Sequence, residues 1–437
     1  MSMKMSARGR IAATAGLGVA AALSLAACAP PGGSAGTGAS STPLATGTVK
    51  VGFIAPLSGP LAAVGAQFQQ GWDYYWDQNG FTAGGVTIDV VGVEDDAADT
   101  QKATAAAQKL VEQDGAEILV GSIASNTATA ISKYAADNEI VNIEPISASN
   151  DFTAENANDY TIRAGSQAAT QTSYPGGEYA AKELGYKKAL TLCTDYSYGW
   201  ESCAGFAQGF TDNGGTVETQ LWQPNGNTDF SALISQVVGS DADVIYFGTA
   251  GGAYGPNFLD SYLKAGGDVS KLFFNSSAAD VATLQAATKA GYGDQIVGLY
   301  SSGYYAEGAD APEAAQEFVT SYLKDNGVIP GQYAAGGYFA ASLLAKVFSE
   351  KGLVTGPDLV KTIQGFTFPD SIYGSVSWDS KNNQTSPVYI RQVEKHDDGQ
   401  LYNDVVFTYD AVDQWNGRDE AKVIASHPFD KSNQYVK

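Results

Sequence analysis

Histidine is nearly absent from this chain of 437 residues, which holds only His396 and His427, both near the C-terminus. No HExxH or GxxxxGKS/T occurs and histidine is confined to those two positions, so zinc hydrolases, serine hydrolases with a histidine base and P-loop NTPases lose the residues their chemistry needs. Positive charge is scarce too: 25 Lys and Arg face 47 Asp and Glu, a net charge of −22. Such a surface repels phosphate backbones and anionic headgroups, which argues against nucleic acid as a partner. Cysteine is limited to Cys28, Cys193 and Cys203, with no CxxC pair to support redox catalysis. The acidic run Glu94-Asp95-Asp96 with Asp99 lacks the glycine and distal glutamate of an EF-hand and reads as a solvated loop, so neither a metal nor a cofactor is expected. A hydrolase built on two carboxylates far apart in the chain stays open as an alternative.

What is present begins at the N-terminus. Lys4, Arg8 and Arg10 precede an uncharged run over 11–27, the basic and apolar order of an export signal. That run is rich in Ala and Gly, short and weakly apolar for crossing about 30 Å of hydrocarbon. Leu25-Ala26-Ala27-Cys28 resembles the bacterial lipobox, which implies cleavage before Cys28 and lipidation of its thiol. Acyl chains then hold the protein to a membrane at about 0.8 kcal/mol per buried CH₂, with no spanning helix. Residues 29–47, APPGGSAGTGASSTPLATG, carry no charge and no aromatic ring and read as a flexible tether. Beyond them the chain is longer than one hydrophobic core usually supports, and two domains are expected.

Short β-branched runs alternate with amphipathic stretches, the pattern of βαβ units around parallel sheets. Strands are expected at 49–55, 87–92, 117–120 and 140–144, with helices at 65–79, 100–113 and 126–137. A second series follows: strands at 188–193, 216–222, 243–248, 271–275 and 295–301, with helices at 167–184, 199–212, 230–238, 257–265 and 281–289. Helices at 312–326 and 336–350 close the pattern.

The stretches VKVGFIAPLSGPLAAVG (49–65), VEDDAADTQKATAAAQKLVEQDGAEILVGSIASN (93–126) and TDYSYGWESCAGFAQGFTDNGG (194–215) carry a resemblance, joined by NTDFSALISQV (227–237) and YGSVSWDSKNNQTSPVYIRQV (373–393). In order and spacing they resemble the type I periplasmic-binding-protein fold, in the branch of ABC-importer solute receptors that includes the leucine/isoleucine/valine-binding proteins. The resemblance implies two doubly wound α/β lobes, a hinge and a ligand cleft between them. Lobe one would take 48–166 plus 304–385 and lobe two 167–303 plus 386–437, after a signal peptide (1–27) and the tether (28–47). Residues 397–437 outrun the family's usual end and receive no role.

In doubly wound sheets ligands sit beyond the carboxyl ends of the strands, where helix N-termini offer unpaired N–H groups. GSIASNTA (121–128) and EPISASND (144–151) are such loops. Ser125, Asn126 and Thr127 could equally cap a helix. The resemblance implies that Ser125 binds a ligand carboxylate and that Ile146, Ser147 and Ala148 supply backbone groups, with Ala148 standing where the family has a threonine. From lobe two it brings Tyr198 to the cleft edge. Ala250 falls where a tyrosine is expected, with Tyr254 close by, and Ser277 falls where the family holds the ligand ammonium with a glutamate. A neutral hydroxyl cannot replace a carboxylate there, since an unpaired buried charge costs several kcal/mol. Asp195 or Asp280 could supply the missing acid, although both read as exposed carboxylates. An amide or small carboxylate therefore fits as well as an amino acid.

The expected mechanism is hinge closure on a small-molecule solute, followed by delivery from a monomeric receptor to an ABC permease and its ATPase. A receptor of the same fold presenting ligand to a sensor is the alternative. In an exported chain Cys193 and Cys203 form an even pair once Cys28 is lipidated, so a disulfide is expected, worth about 2–3 kcal/mol in the entropy model. Two reduced buried thiols would remain if the strand and helix held their Cβ vectors apart.

Overall fold

Two sheets organise the chain. The computed structural model describes residues 43–425, so the export segment, Cys28, most of the tether and residues 426–437 lie outside the described residues. The first sheet has six strands: β1 (Gly47–Ala55), β2 (Thr82–Ala83), β3 (Val86–Asp95), β4 (Ile118–Val120), β5 (Val141–Glu144) and β6 (Thr161–Arg163). Their spatial order is β2-β3-β1-β4-β5-β6, parallel except for the β2–β3 hairpin. Helices α1 (Ala62–Asn79), α2 (Thr100–Gln108) and α3 (Ser125–Asp137) connect the strands, as right-handed βαβ winding requires.

The chain then crosses to a second sheet through α4 (Ala169–Lys182). Strands β7 (Lys188–Asp195), β8 (Thr216–Pro224), β9 (Val244–Gly248), β10 (Leu272–Asn275) and β11 (Tyr300–Gly303) are all parallel. They alternate with α5 (Ser197–Asp212), α6 (Ile234–Val238), α7 (Tyr254–Lys264) and α8 (Val281–Lys289). Next come α9 (Glu313–Asn326), α10 (Gln332–Lys351) and α11 (Gly356–Gln364), which pack back on the first core. Strands β12 (Phe368–Ser371) and β13 (Gly374–Trp378) lead into the antiparallel pair β14 (Gln384–Lys395) and β15 (Leu401–Val412), and β14 pairs β11. The last element is α12 (Glu420–Ala425).

The first core is set by α1, whose Phe68, Trp72 and Trp76 recur every four residues on one buried face. Phe53 of β1 meets the Phe68 ring at 4.4 Å between centroids. α10 lies unusually close to α1 because glycines stand where they cross. A Cβ on Gly71 would come within 1.9 Å of the Ala334 carbonyl, and one on Gly337 within 2.2 Å of that of Phe68. This close approach fixes the position of the first turn of α10, which matters for the cleft.

Several boundaries shift from the sequence expectation for physical reasons. The strand expected at 295–301 starts only at Tyr300, because Gly293–Ile296 forms a 3₁₀ turn and Gly298 takes φ +91°. The helix expected from 230 shrinks to α6, while α10 begins at Gln332, four residues before the expected start. The segment without an expected role contributes β15 and α12. Cys193, ending β7, and Cys203, in α5, lie with sulfurs 1.99 Å apart and Cα atoms 6.2 Å apart.

Candidate ligand-binding cleft

Three tie points hold the crossings between the sheets. Trp378 Nε1 donates to the Arg163 carbonyl at 2.7 Å, the Gly165 N–H to Gln384 Oε1 at 2.8 Å, and Gln167 Nε2 to the Ser386 carbonyl at 2.9 Å. These contacts join residues more than 200 positions apart and bring the carboxyl ends of both sheets to face one another.

The first-sheet side of the cleft is built by the loops after β4 and β5. Glu144 fastens the two together: its Oε2 accepts from the Ser122 N–H at 2.7 Å, its Oε1 from those of Ile146 and Ser147 at 3.2 and 2.9 Å. Burial pushes the Glu144 carboxyl up to about 8, opposed by those N–H groups and by Arg163. The guanidinium of Arg163 is buried, brought down to about 10 by desolvation. It donates to the Ser147 and Ser149 carbonyls and, at 2.7 Å, to Asn383 Oδ1, and stacks 4.4 Å above Phe152. The second loop is therefore braced from beneath by a cation and an acid that do not themselves face the cleft.

The cap position of α3 is Ala124, and no side chain caps the helix. This differs from the capping reading of Ser125, Asn126 and Thr127. Ser125 is already the first helical residue, Asn126 Nδ2 donates to Thr100 Oγ1 at 3.1 Å, and Thr127 Oγ1 donates back to the Ala124 carbonyl at 2.9 Å. Alanine is among the poorest cap residues, so no cap side chain meets the N–H groups and positive dipole end of the first turn.

The second-sheet side follows β7, β9 and β10. Tyr196 and Tyr198 stand at the start of α5, Ala250 and Gly251 follow β9, and Ser276 and Ser277 follow β10. Together with the first-sheet loops they line one narrow cavity of about 30 Å³ between the facing strand ends. Ser125, Ile146, Ala148, Tyr198, Ala250 and Ser277 all line it. Asn126 and Tyr254 instead line an adjoining chamber that shares Leu61, Ala124, Tyr196 and Ala250 with the first. Tyr254 is tied away, its hydroxyl accepting the Gly226 N–H at 2.8 Å. Thr127 and Ser147 are fully buried and line neither chamber.

Among the lining residues that sequence reasoning missed are Gln167, Tyr304, Gln332 and Tyr333. The first two sit at crossings, and the last two open α10. The only available signal was the early start of α10 after Pro330-Gly331. The expected fate of the two aspartates is corrected as well. Asp280 is 4% exposed, capping α8 through the Ala282 N–H at 3.1 Å and accepting the Gln332 N–H at 3.0 Å, while Asp195 accepts from Trp200 Nε1 at 3.0 Å. Neither lines the cavity. The chamber walls carry no Asp, Glu, Lys, Arg or His, and their polarity is that of hydroxyls and carboxamides. Burial lifts the Tyr198 hydroxyl to about 12, so it stays neutral, with Asn275 Nδ2 donating to it at 2.8 Å and Ser277 Oγ 3.1 Å away.

Two wound sheets, tied crossings and a neutral, enclosed chamber at the facing strand ends define an α/β solute-binding protein of the type I periplasmic binding fold. The chain belongs to the periplasmic binding protein family, whose profile matches residues 48–400. It is 28% identical over 369 residues to Leu/Ile/Val-binding protein homolog 6 of Brucella melitensis, covering 83% of this chain and 92% of that one. A solute-binding protein of an ABC transporter from Rhodopseudomonas palustris BisB5, solved with 3,4-dihydroxybenzoic acid, superposes with a TM-score of 0.77 at 28% identity, over 84% of this chain and 98% of that one. A leucine-binding protein from Thermotoga maritima shares the fold at 20% identity, with a TM-score of 0.71 over 83% and 99% of the two chains. The relatives are solute-binding proteins rather than enzymes, and the family implies work outside the cytoplasm. Among the described residues no helix is long and apolar enough to cross a membrane.

Proposed function

We propose that this protein is a lipid-anchored receptor, held to the outer face of the cell membrane through Cys28, that captures a small solute by hinge closure and hands it to an ABC permease with its ATPase. The solute is an amino acid, an amide or a small carboxylate. Residues 48–166 plus 304–385 act as one lobe and 167–303 plus 386–437 as the other. Ser125, Ile146 and Ala148 meet the ligand from the first, and Tyr198, Ala250 and Ser277 from the second. The Cys193–Cys203 disulfide holds the start of α5 to the end of β7, steadying the tyrosines at the cleft. The receptor works as a monomer.

The observation that carries this reading is the single chamber lined from both sheets, closed on one wall by an uncapped helix N-terminus and on the other by hydroxyls. A hydrogen bond already spans it, from Gln332 Nε2 to Ser277 Oγ at 2.9 Å. Closure around a solute would remove water from the chamber.

Small-angle scattering on the full-length protein with L-leucine, benzoate, 4-hydroxybenzoate and 4-carbamoylbenzoate in turn tests the reading. The radius of gyration is expected to fall with at least one of them. A profile unchanged by all four at millimolar concentration would count against closure on this class of solute.

A further inference from the structure

Gln167 lies at the crossing between β6 and α4 and lines the chamber, yet it is 0% exposed. Its Nε2 donates to the carbonyls of Ser386 and Pro387, at 2.9 and 3.1 Å, and lies 2.8 Å from Ser386 Oγ. Backbone carbonyls only accept, so the nitrogen must be the atom that faces them and the orientation of the carboxamide is fixed. Its Oε1 is buried without a donor among the described residues. Gln332, 2% exposed at the start of α10, repeats the pattern on the same chamber: Nε2 donates to Ser277 Oγ and Oε1 accepts no hydrogen bond among the described residues. Turning that amide over would only exchange which atom is stranded.

Buried acceptors left unpaired cost free energy, and a ligand that donates to the two beside this cavity recovers it. A ligand ammonium is a poor choice here, because no carboxylate lines the chamber to balance it. Neutral N–H or O–H donors satisfy a carboxamide oxygen without bringing an uncompensated charge. At the opposite need, the uncapped N-terminus of α3 beside Ser125 takes an acceptor, best an anionic one. Tyr196, Tyr198, Tyr304 and Tyr333 supply ring surface for a flat body between the two.

We propose that Gln167, seconded by Gln332, selects the ligand: the carboxamide oxygens accept from neutral hydroxyl or amide donors on a small, flat carboxylate that carries no ammonium. The proposal rests on the receptor reading above and narrows it to one ligand chemistry.

Titration calorimetry on the full-length protein tests it with benzoate, 4-hydroxybenzoate, 4-carbamoylbenzoate and L-leucine, on wild type, Gln167→Met and Gln332→Leu. The wild type should bind the two donor-bearing benzoates about tenfold or more tighter than benzoate, the penalty for leaving a site acceptor unpaired. Gln167→Met should erase most of that ratio whatever the lost tie to Ser386 and Pro387 does to the absolute affinities; Gln332→Leu should lower the ratio without abolishing it. A role confined to holding the crossing would weaken all ligands by the same factor and leave the ratio intact, which overturns the proposal. So does equal binding of benzoate and 4-hydroxybenzoate. Tightest binding of L-leucine also overturns it while the receptor reading stands, whereas no binding and no compaction with any of the four removes both.

Discussion

Replacing Ser277 with alanine is expected to weaken ligand binding about tenfold and leave the fold intact. Ser277 Oγ accepts from Gln332 Nε2 at 2.9 Å and lies 3.1 Å from the Tyr198 hydroxyl. Tyr198 retains Asn275 Nδ2 at 2.8 Å, so its loss is partial. Gln332 fares worse: its buried Nε2 loses the Ser277 acceptor, with the Tyr333 hydroxyl as its remaining side-chain neighbour. One such orphaned group costs about 1–3 kcal/mol, or about 5- to 150-fold in a dissociation constant. Ser277 follows β10 in the second sheet, while α10 packs in the first core, so opening the cleft returns Gln332 to water and relieves the penalty. The cost therefore falls on the closed form, and a water in the space left by the hydroxyl brings it to the low end of the range. Calorimetric titration of wild type, Ser277→Ala, Gln332→Leu and the double variant checks this, with the double expected to lose less than the two singles together. An affinity for Ser277→Ala within twofold of wild type, or strictly additive losses, would refute the reasoning.

Stability should also fall as pH rises toward neutrality, in part through Glu307, whose carboxyl burial raises from 4.5 to about 7 against the pull of Arg391. The folded state keeps a proton that the unfolded chain releases above about 4.5, so this contribution is full below that pH and lost as pH climbs through 7, up to about 3 kcal/mol. Glu307→Gln keeps a carbonyl for the Asn403 N–H and Nδ2, at 3.0 and 2.6 Å, and should flatten the melting-temperature profile between pH 5 and 8; parallel profiles would exclude the assignment. At the N-terminus, mass spectrometry of the protein isolated from its own membrane should find residue 28 first and acylated, and an unmodified Cys28 would remove the lipid anchor from the proposal.

The wound strands and helices were legible because each β-branched run is short, buried and followed by an amphipathic stretch, and β1, β4, β5, β7, β9 and β10 all fall where that pattern puts them. Part of the chamber was legible for the same reason: Ser125, Ile146 and Ala148 sit in loops that directly follow a recognisable strand. Gln167, Tyr304 and Gln332 were not, because the first two enter at crossings and the third at the start of α10, and their partners lie far along the chain, such as Ser386 for Gln167 and Ser277 for Gln332. No local period encodes that meeting. Asp280 shows the same limit from the other direction. As a residue before a helix it reads as an ordinary exposed cap, and only the packing of α10 against α1 brings the Gln332 N–H to its second oxygen.

These contacts divide the work of binding unevenly between the two sides. On the first side the loops are finished before any ligand arrives, since Glu144 and Arg163 satisfy their backbone groups from behind and leave the α3 N–H groups as the unspent polarity facing the chamber. On the second side the polar groups reach across: Ser277 and Asp280 bond to Gln332, and Glu201 accepts the Asn150 N–H at 3.2 Å. A ligand that lands first on the finished side meets little ordering cost, because the donors there are already held in place. Under the proposed closure the cross-cleft bonds would form as the chamber is sealed, and the affinity gained would depend on groups such as Ser277 and Gln332 that meet from opposite sides. Selectivity and closure thus share residues, and a solute that leaves Gln332 unpaired weakens both the fit and the seal.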